Sequence, residues 1–348
     1  MKFNKLFLVS SVLIFSIIFL NCSSKESGLK PRVIVTTDIN NGPGDPDDRQ
    51  SLCHLLFYAN ELNIRGIIPD RFSKTGTEAC TIVLDLYEKD FNNPNTKYKE
   101  YGYPTVDYFR NYALVSEKES AIQRIINEAK IERQGPLWIL VWGNMGVLND
   151  VLKTTPEIAN KIRIITIATF LRAKENGGDG NIKNWNSWGR QEVYDNFPKL
   201  WWLESEWTYN GMFPGKEAVD LKETLAKNAG ELGKHIKDVI GTVEWADNFR
   251  AGDTPTVLYM IDPNHDLNDP TQASWAGKYN KPFPEERPYF WTGITGKHEW
   301  DAENPVNTWE NASKIYELRV NTLLNRRPDM YDALINKVFD LYNVNSEK

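Results

Sequence analysis

The chain has 348 residues, 41% of them hydrophobic and 25% charged, with a net charge of −6 and 12 tryptophans. Its lysines and arginines are dispersed, with no block that would track a phosphate backbone, which argues against nucleic-acid binding. Three cysteines are too few to imply a disulfide framework, and the length is ample for one large α/β domain.

The amino terminus reads as an export signal. Lys2 and Lys5 precede an apolar run from Leu6 to Leu20, which stops at Asn21-Cys22-Ser23-Ser24. A cysteine at that point resembles a bacterial lipoprotein signal. This implies a signal peptide over 1–22, a lipid anchor at Cys22, a polar tether over 23–30 and a location at the cell envelope. Asn21 departs from the usual small residue there, and an ordinary secretory signal or an uncleaved anchor is the alternative. Cys53 and Cys80, flanked by Leu52, Leu55, Ile82 and Val83, are expected to be buried thiols.

From Pro31 onward, short apolar strands alternate with amphipathic helices. Strands are expected at Arg32 to Thr37, Ile64 to Ile68, Leu137 to Trp142 and Ile162 to Ala168. Helices are expected at Asp48 to Asn60, Thr77 to Phe91, Glu117 to Glu132 and Met145 to Lys153, and Asn92 to Val115 reads as a surface excursion. Beyond Ala168 the pattern loosens. Trp188 to Asn196 reads as helix, Lys199 to Leu203 as strand, Ala218 to Ile240 as helix broken near Gly230 and Gly233, and Asp253 to Ile261 as a segment that ends in a strand. Helices over Asn311 to Asn325 and Asp329 to Tyr342 close the chain. The alternation predicts a three-layer α/β fold over 31–345, a mainly parallel open sheet with helices on both faces.

Ligands of such sheets bind beyond the carboxyl ends of the strands, where Asp38, Trp142-Gly143-Asn144, Thr169 and Asp262 are expected to emerge. Immediately after the first strand, Asp38, Asp45, Asp47 and Asp48 pack four carboxylates into eleven residues. Close like charges repel strongly at reduced dielectric, so the cluster calls for a hard cation or a proton. Helix capping by Asp47 or Asp48 is the plainer alternative, though it explains neither the adjacent carboxylate nor Asp38.

Other polar and aromatic residues fit sugar chemistry. Asn184 and Asn186 can bind hydroxyls, and Trp185 or Trp188 can present a stacking face, although most tryptophans are expected to be core or loop anchors. His265, in Pro263-Asn264-His265-Asp266, has the ordinary pKa range of an acid that protonates a leaving group.

Val35-Thr36-Thr37-Asp38 followed by Asp45-Pro46-Asp47-Asp48 resembles the amino-terminal signature of nucleoside hydrolases. With Arg49-Gln50-Ser51-Leu52, Gly252-Asp253-Thr254-Pro255-Thr256-Val257-Leu258-Tyr259, Asp269-Pro270 and Trp275-Ala276-Gly277-Lys278-Tyr279, it is most similar to the nucleoside-hydrolase-like domain of exported cellulose-binding proteins. The resemblance implies a calcium ion that grips vicinal sugar hydroxyls and a water. Asp38 and Asp48 would be its ligands, Asp45 an extra acidic position, Asp269 a later ligand and Met145 a carbonyl donor, with Asp47 as general base. Asn40, where the signature carries a second acid, and Asn144, in an altered segment after the Trp142 strand, are expected near the substrate.

Two functions follow. One is a calcium-dependent hydrolase of N-glycosyl or other glycosyl compounds. The other is a lipoprotein that binds cellulose-type polysaccharide without turnover. The Asp47-Asp48 pair favours the first, and Asn40 and the altered Trp142 loop favour the second.

Overall fold

Val33 and Val35 of the first strand pack into one hydrophobic core while Ile34, between them, packs into another. The alternation of side chains along a strand makes this the signature of a sheet covered on both faces. A computed structural model describes residues 29–42, 46–132, 135–167, 170–172, 181–183, 188–205, 215–239, 251–293 and 327–344.

The chain runs β1 (Arg32–Thr37), α1 (Asp47–Phe57), β2 (Asn63–Pro69), α2 (Lys74–Asn92), a single turn α3 (Val106–Tyr108), α4 (Lys118–Lys130), β3 (Leu137–Val141), α5 (Gly146–Thr154) and β4 (Ile162–Ile167). A hairpin follows, β5 (Phe170–Arg172) with β6 (Asn181–Lys183), then α6 (Arg190–Asn196), β7 (Trp201–Ser205), α7 (Gly215–Asn228) and α8 (Gly230–Asp238). The last described elements are α9 (Thr254–Ile261), β8 (Tyr279–Asn280), β9 (Phe290–Gly293) and α10 (Arg327–Leu341).

The main sheet has the order β2-β1-β3-β4-β7-β9-β8, parallel throughout except where β8 returns against β9. Residues from α1, α2, α8, α9 and α10 fill the core that contains Val33, Val35, Trp138 and Leu140. Residues from α4, α5 and α6 fill the other, with Ile34, Ile139 and Ile164. The expected three-layer α/β architecture is present.

Three local readings differ from expectation. Asp253 to Ile261 reads as ending in a strand because it is apolar and β-branched, yet it forms α9, with Asp253 at the N-cap and Pro255 in the first turn, where a missing N–H costs nothing. Asn92 to Val115 is no mere surface excursion, because Tyr98 and Phe109 are fully buried and stack on Tyr87 of α2 at 5.3 Å each. Strand β9 lies in a Pro- and Trp-rich stretch whose periodicity gave no strand signal. Cys53 and Cys80 are buried free thiols as expected, and burial pushes the Cys80 thiol up to about 12. Among the described residues no helix is long and apolar enough to cross a membrane. The signal and tether up to residue 28, Thr169 and the helix expected over Asn311 to Asn325 lie outside the described residues.

Candidate functional site

At the carboxyl end of β1, Thr37 is fully buried, its Oγ1 accepts the Ile39 N–H at 3.1 Å, and its hydroxyl donates to Asp48 Oδ1. This ties the strand's end to the first turn of α1. Pro46 occupies the N-cap of α1 with no side-chain cap bond, so Asp47 and Asp48 are first-turn residues and do not cap the helix. Negative charge there is favoured by the helix dipole, but that effect is small beside the repulsion between adjacent carboxylates.

The third carboxylate comes from far along the chain. Gln50 of α1 donates to the Ile236 carbonyl of α8 at 2.9 Å and accepts the Ala251 amide at 3.0 Å, and Ser51 Oγ accepts the Asp253 amide at 3.2 Å. Ala251 is held at φ +40°, a left-handed conformation that a non-glycine residue adopts at a cost. These contacts bring one carboxylate oxygen from each of Asp47, Asp48 and Asp253 within 4.8 Å of one another, with Asp48 and Asp253 buried and Asp47 half-buried. Three hard oxygen donors so arranged suit a divalent cation of the calcium or magnesium type, and no sulfur or imidazole competes in the set.

A second acidic pair lies just past the ends of β1 and β2. Asp38 forms an ion pair with Arg71 at 2.5 Å, and Asp70, at the end of β2, accepts the Asn144 amide at 2.8 Å. Burial first, and then the nearby Asp38 charge, push the Asp70 carboxyl well above the usual carboxylate range. Gly143 allows this meeting, since a Cβ there would sit 2.3 Å from Asp70 Oδ2 and 2.8 Å from the Asp38 nitrogen. Arg190, fully buried, donates to the Gly143 carbonyl at 2.9 Å and pairs with the buried Glu204 at 3.9 Å. Glu204 in turn accepts from Thr166 and from the Trp202 indole.

The remaining expected residues divide by position. Asn144 is buried and its Oδ1 accepts the Gly146 amide at 2.8 Å, while Asn40 closes a turn on Gly42 at 2.9 Å. The Met145 carbonyl accepts the Asn149 amide at 2.8 Å in α5, and its side chain is core. Trp188 is 71% exposed and its ring lies 3.7 Å from the position of a Cβ on Gly146, which leaves an open aromatic face at this edge. Asp45, Asn184, Trp185 and Asn186 lie outside the described residues.

His265 and Asp269 are not brought to the trio. Helix α9 runs back across the sheet, from Thr256 at the Trp142 indole (2.7 Å) to Tyr259 beside Trp138 near the start of β3 (6.0 Å). Its eight residues span about 12 Å. Past its end, His265 stacks on Tyr259 at 4.6 Å and Asn268 meets Arg163 of β4 at 2.7 Å, both near the amino-terminal ends of the strands. Asp269 is spent on its own turn, accepting from Thr271 and Gln272.

Asp253 and Asp70 are site residues that the acidic loop by itself does not point to, yet each carries a local signal. An Asp directly before Thr-Pro is a helix-start signal, and a helix starting there aims its N-cap at the strand ends. Asp70 ends an apolar strand just as Asp38 does.

Residues 32–279 match the sequence profile of the family described as cellulose-binding Sde182, nucleoside hydrolase-like domain. The chain belongs to this family. No curated protein matches the sequence. Among solved structures, a nucleoside hydrolase-related hypothetical protein from Saccharophagus degradans, described as associated with carbohydrate metabolism, is similar at a TM-score of 0.62 and 19% identity over 91% of this chain and 73% of that one. An inosine-guanosine nucleoside hydrolase is similar at a TM-score of 0.50 and 13% identity over 89% of this chain and 99% of that one. At identities this low, the likeness shows a shared nucleoside-hydrolase-like fold.

Proposed function

We propose that the chain binds a glycosyl compound at the carboxyl edge of the sheet through a calcium ion held by Asp47, Asp48 and Asp253, and hydrolyses its glycosyl bond. The observation that carries this is the convergence of three carboxylates within 4.8 Å at the edge where ligands of parallel sheets bind. Calcium is the choice because its flexible coordination accepts an irregular all-oxygen set. When bound, the cation would hold sugar hydroxyls and lower the pKa of a water.

The protein's own groups supply the rest. Asp47 is the least buried of the three, which makes it the natural acceptor of a water's proton. Asp48 is held by Thr37, and Asp253 by the grip of Ser51 on its amide, so neither has to reorganise when ligand arrives. The exposed Trp188 ring offers a platform for a sugar. Nearby carboxylates favour positive charge developing on the sugar.

The second reading, polysaccharide binding without turnover, rests on the distance of His265 from the trio and on the family's cellulose-binding description. The two are separated by incubating calcium-loaded protein with nucleosides and with cello-oligosaccharides, wild type beside Asp47→Asn. Release of free base or reducing sugar by the wild type alone supports hydrolysis. Retention of both proteins on cellulose with no product supports binding. Export and a lipid anchor at Cys22 belong to the same proposal, supported by the Lys2-to-Cys22 pattern and tested by metabolic labelling with a fatty acid.

A further inference from the structure

The amino-terminal ends of the strands carry a concave surface. It is a groove of about 1040 Å³, lined by Arg32 at the start of β1, Lys161 and Arg163 at the start of β4, Lys199 and Trp201 at the start of β7, and Tyr289 just before β9. Among the described residues, four cations face a single lining carboxylate, Glu132. Arg32 is already met by Glu128 at 3.7 Å, but Lys161 and Lys199 are exposed and have no carboxylate within ion-pair distance among the described residues. In a chain with a net charge of −6, this local excess of positive charge is against the average.

The floor is aromatic and fixed. Trp201 packs on Trp138 at 5.1 Å and on Trp291 at 4.6 Å. The Arg163 guanidinium sits 5.1 Å from both the Trp138 and the Trp201 rings, and Asn268 accepts from it at 2.7 Å. A guanidinium held this way is oriented before any ligand arrives. At the rim, Tyr289 is 48% exposed and offers an aromatic face among the cations.

We propose that this groove is a second ligand site, taking a carboxylate-bearing oligosaccharide of the uronic acid type. An open ring suits the face of a sugar, Arg163 suits a carboxylate, and Lys161 and Lys199 suit the repeating charge of a short chain. A neutral glucan would use the ring and leave the cations unused. A simple anion would use the cations and leave the ring unused. The proposal is independent of the cation site, which lies at the other edge of the sheet.

The test is calorimetric titration of the full chain with a purified oligogalacturonate, with cellohexaose and inorganic phosphate in parallel. The expected result is binding of the oligogalacturonate at least tenfold tighter than either control, weakening as salt rises. Lys161→Glu with Lys199→Glu, and separately Tyr289→Ala, should each cost at least tenfold, while calcium affinity stays unchanged. These side chains are exposed, so circular dichroism should report an intact fold for both variants. Equal affinity for cellohexaose, equal affinity for phosphate, or binding that survives both variants would each overturn the proposal.

Discussion

Ser51 Oγ accepts the backbone amide of Asp253 at 3.2 Å, a contact across 202 residues of sequence. It turns two adjacent carboxylates into a three-cornered cluster. Asp253→Asn keeps size and shape while removing one negative charge, so calcium affinity should fall about 100-fold or more, and Ser51→Ala, which only loosens the residue's seat, about tenfold. Isothermal titration with calcium checks both. An unchanged titration for Asp253→Asn would remove that residue from the site.

Gly143 is a position where even one methyl group has no room, because its neighbours are a carboxylate and a backbone nitrogen. Gly143→Ala should destabilise the fold by about 1–3 kcal/mol. The denaturation midpoint should drop with little change in slope, and calcium affinity should weaken as Asp38 and the end of β1 are pushed aside.

His54 in α1 is buried, and burial lowers its pKa to about 3, while burial and the nearby Arg49 lower that of His235 to about 4. Both rings stay neutral in the folded chain and protonate near 6.5 once unfolded. The unfolded state therefore binds more protons below that pH, and stability should fall as pH drops from about 6.5 toward 4, by up to about 1.4 kcal/mol per pH unit for each ring. His54→Leu should roughly halve that slope in urea titrations between pH 6 and 4.

Asp70 acts with the opposite sign. Its folded-state pKa is raised, by burial and then by Asp38, so the contribution is fullest below the unfolded value and is lost as pH rises through the folded one. Asp70→Asn can still accept the Asn144 amide. In chelator, it should be more stable than the wild type at pH 8 and little different from it at pH 4. A variant less stable than wild type at pH 8 would show that the ionised carboxylate is favoured where it stands.

The layers of the fold were legible because β1, β3 and β4 are buried on both faces and read as continuous apolar runs, and because α2 and α4 carry helical spacing. The acidic loop was legible because charge is conspicuous beside an apolar strand. What failed was long-range geometry. Apolar Thr256-Val257-Leu258-Tyr259 suits a buried strand as well as a buried helix, and reading it as a strand reversed the direction of the chain there. That error alone sets Asp262, His265 and Asp269 at the wrong edge and leaves Asp253 without a role. Periodicity describes a segment's neighbours in sequence, whereas the position of Asp253 is decided by Gln50 and Ser51.

The grip of Ser51 on Asp253 has a consequence for biosynthesis. A chain being made from its amino terminus presents Asp47 and Asp48 early, but the third member only about 200 residues later. A cation that needs all three would therefore find no complete cage on a half-made or truncated chain, and would reward only the finished article with added thermodynamic stability.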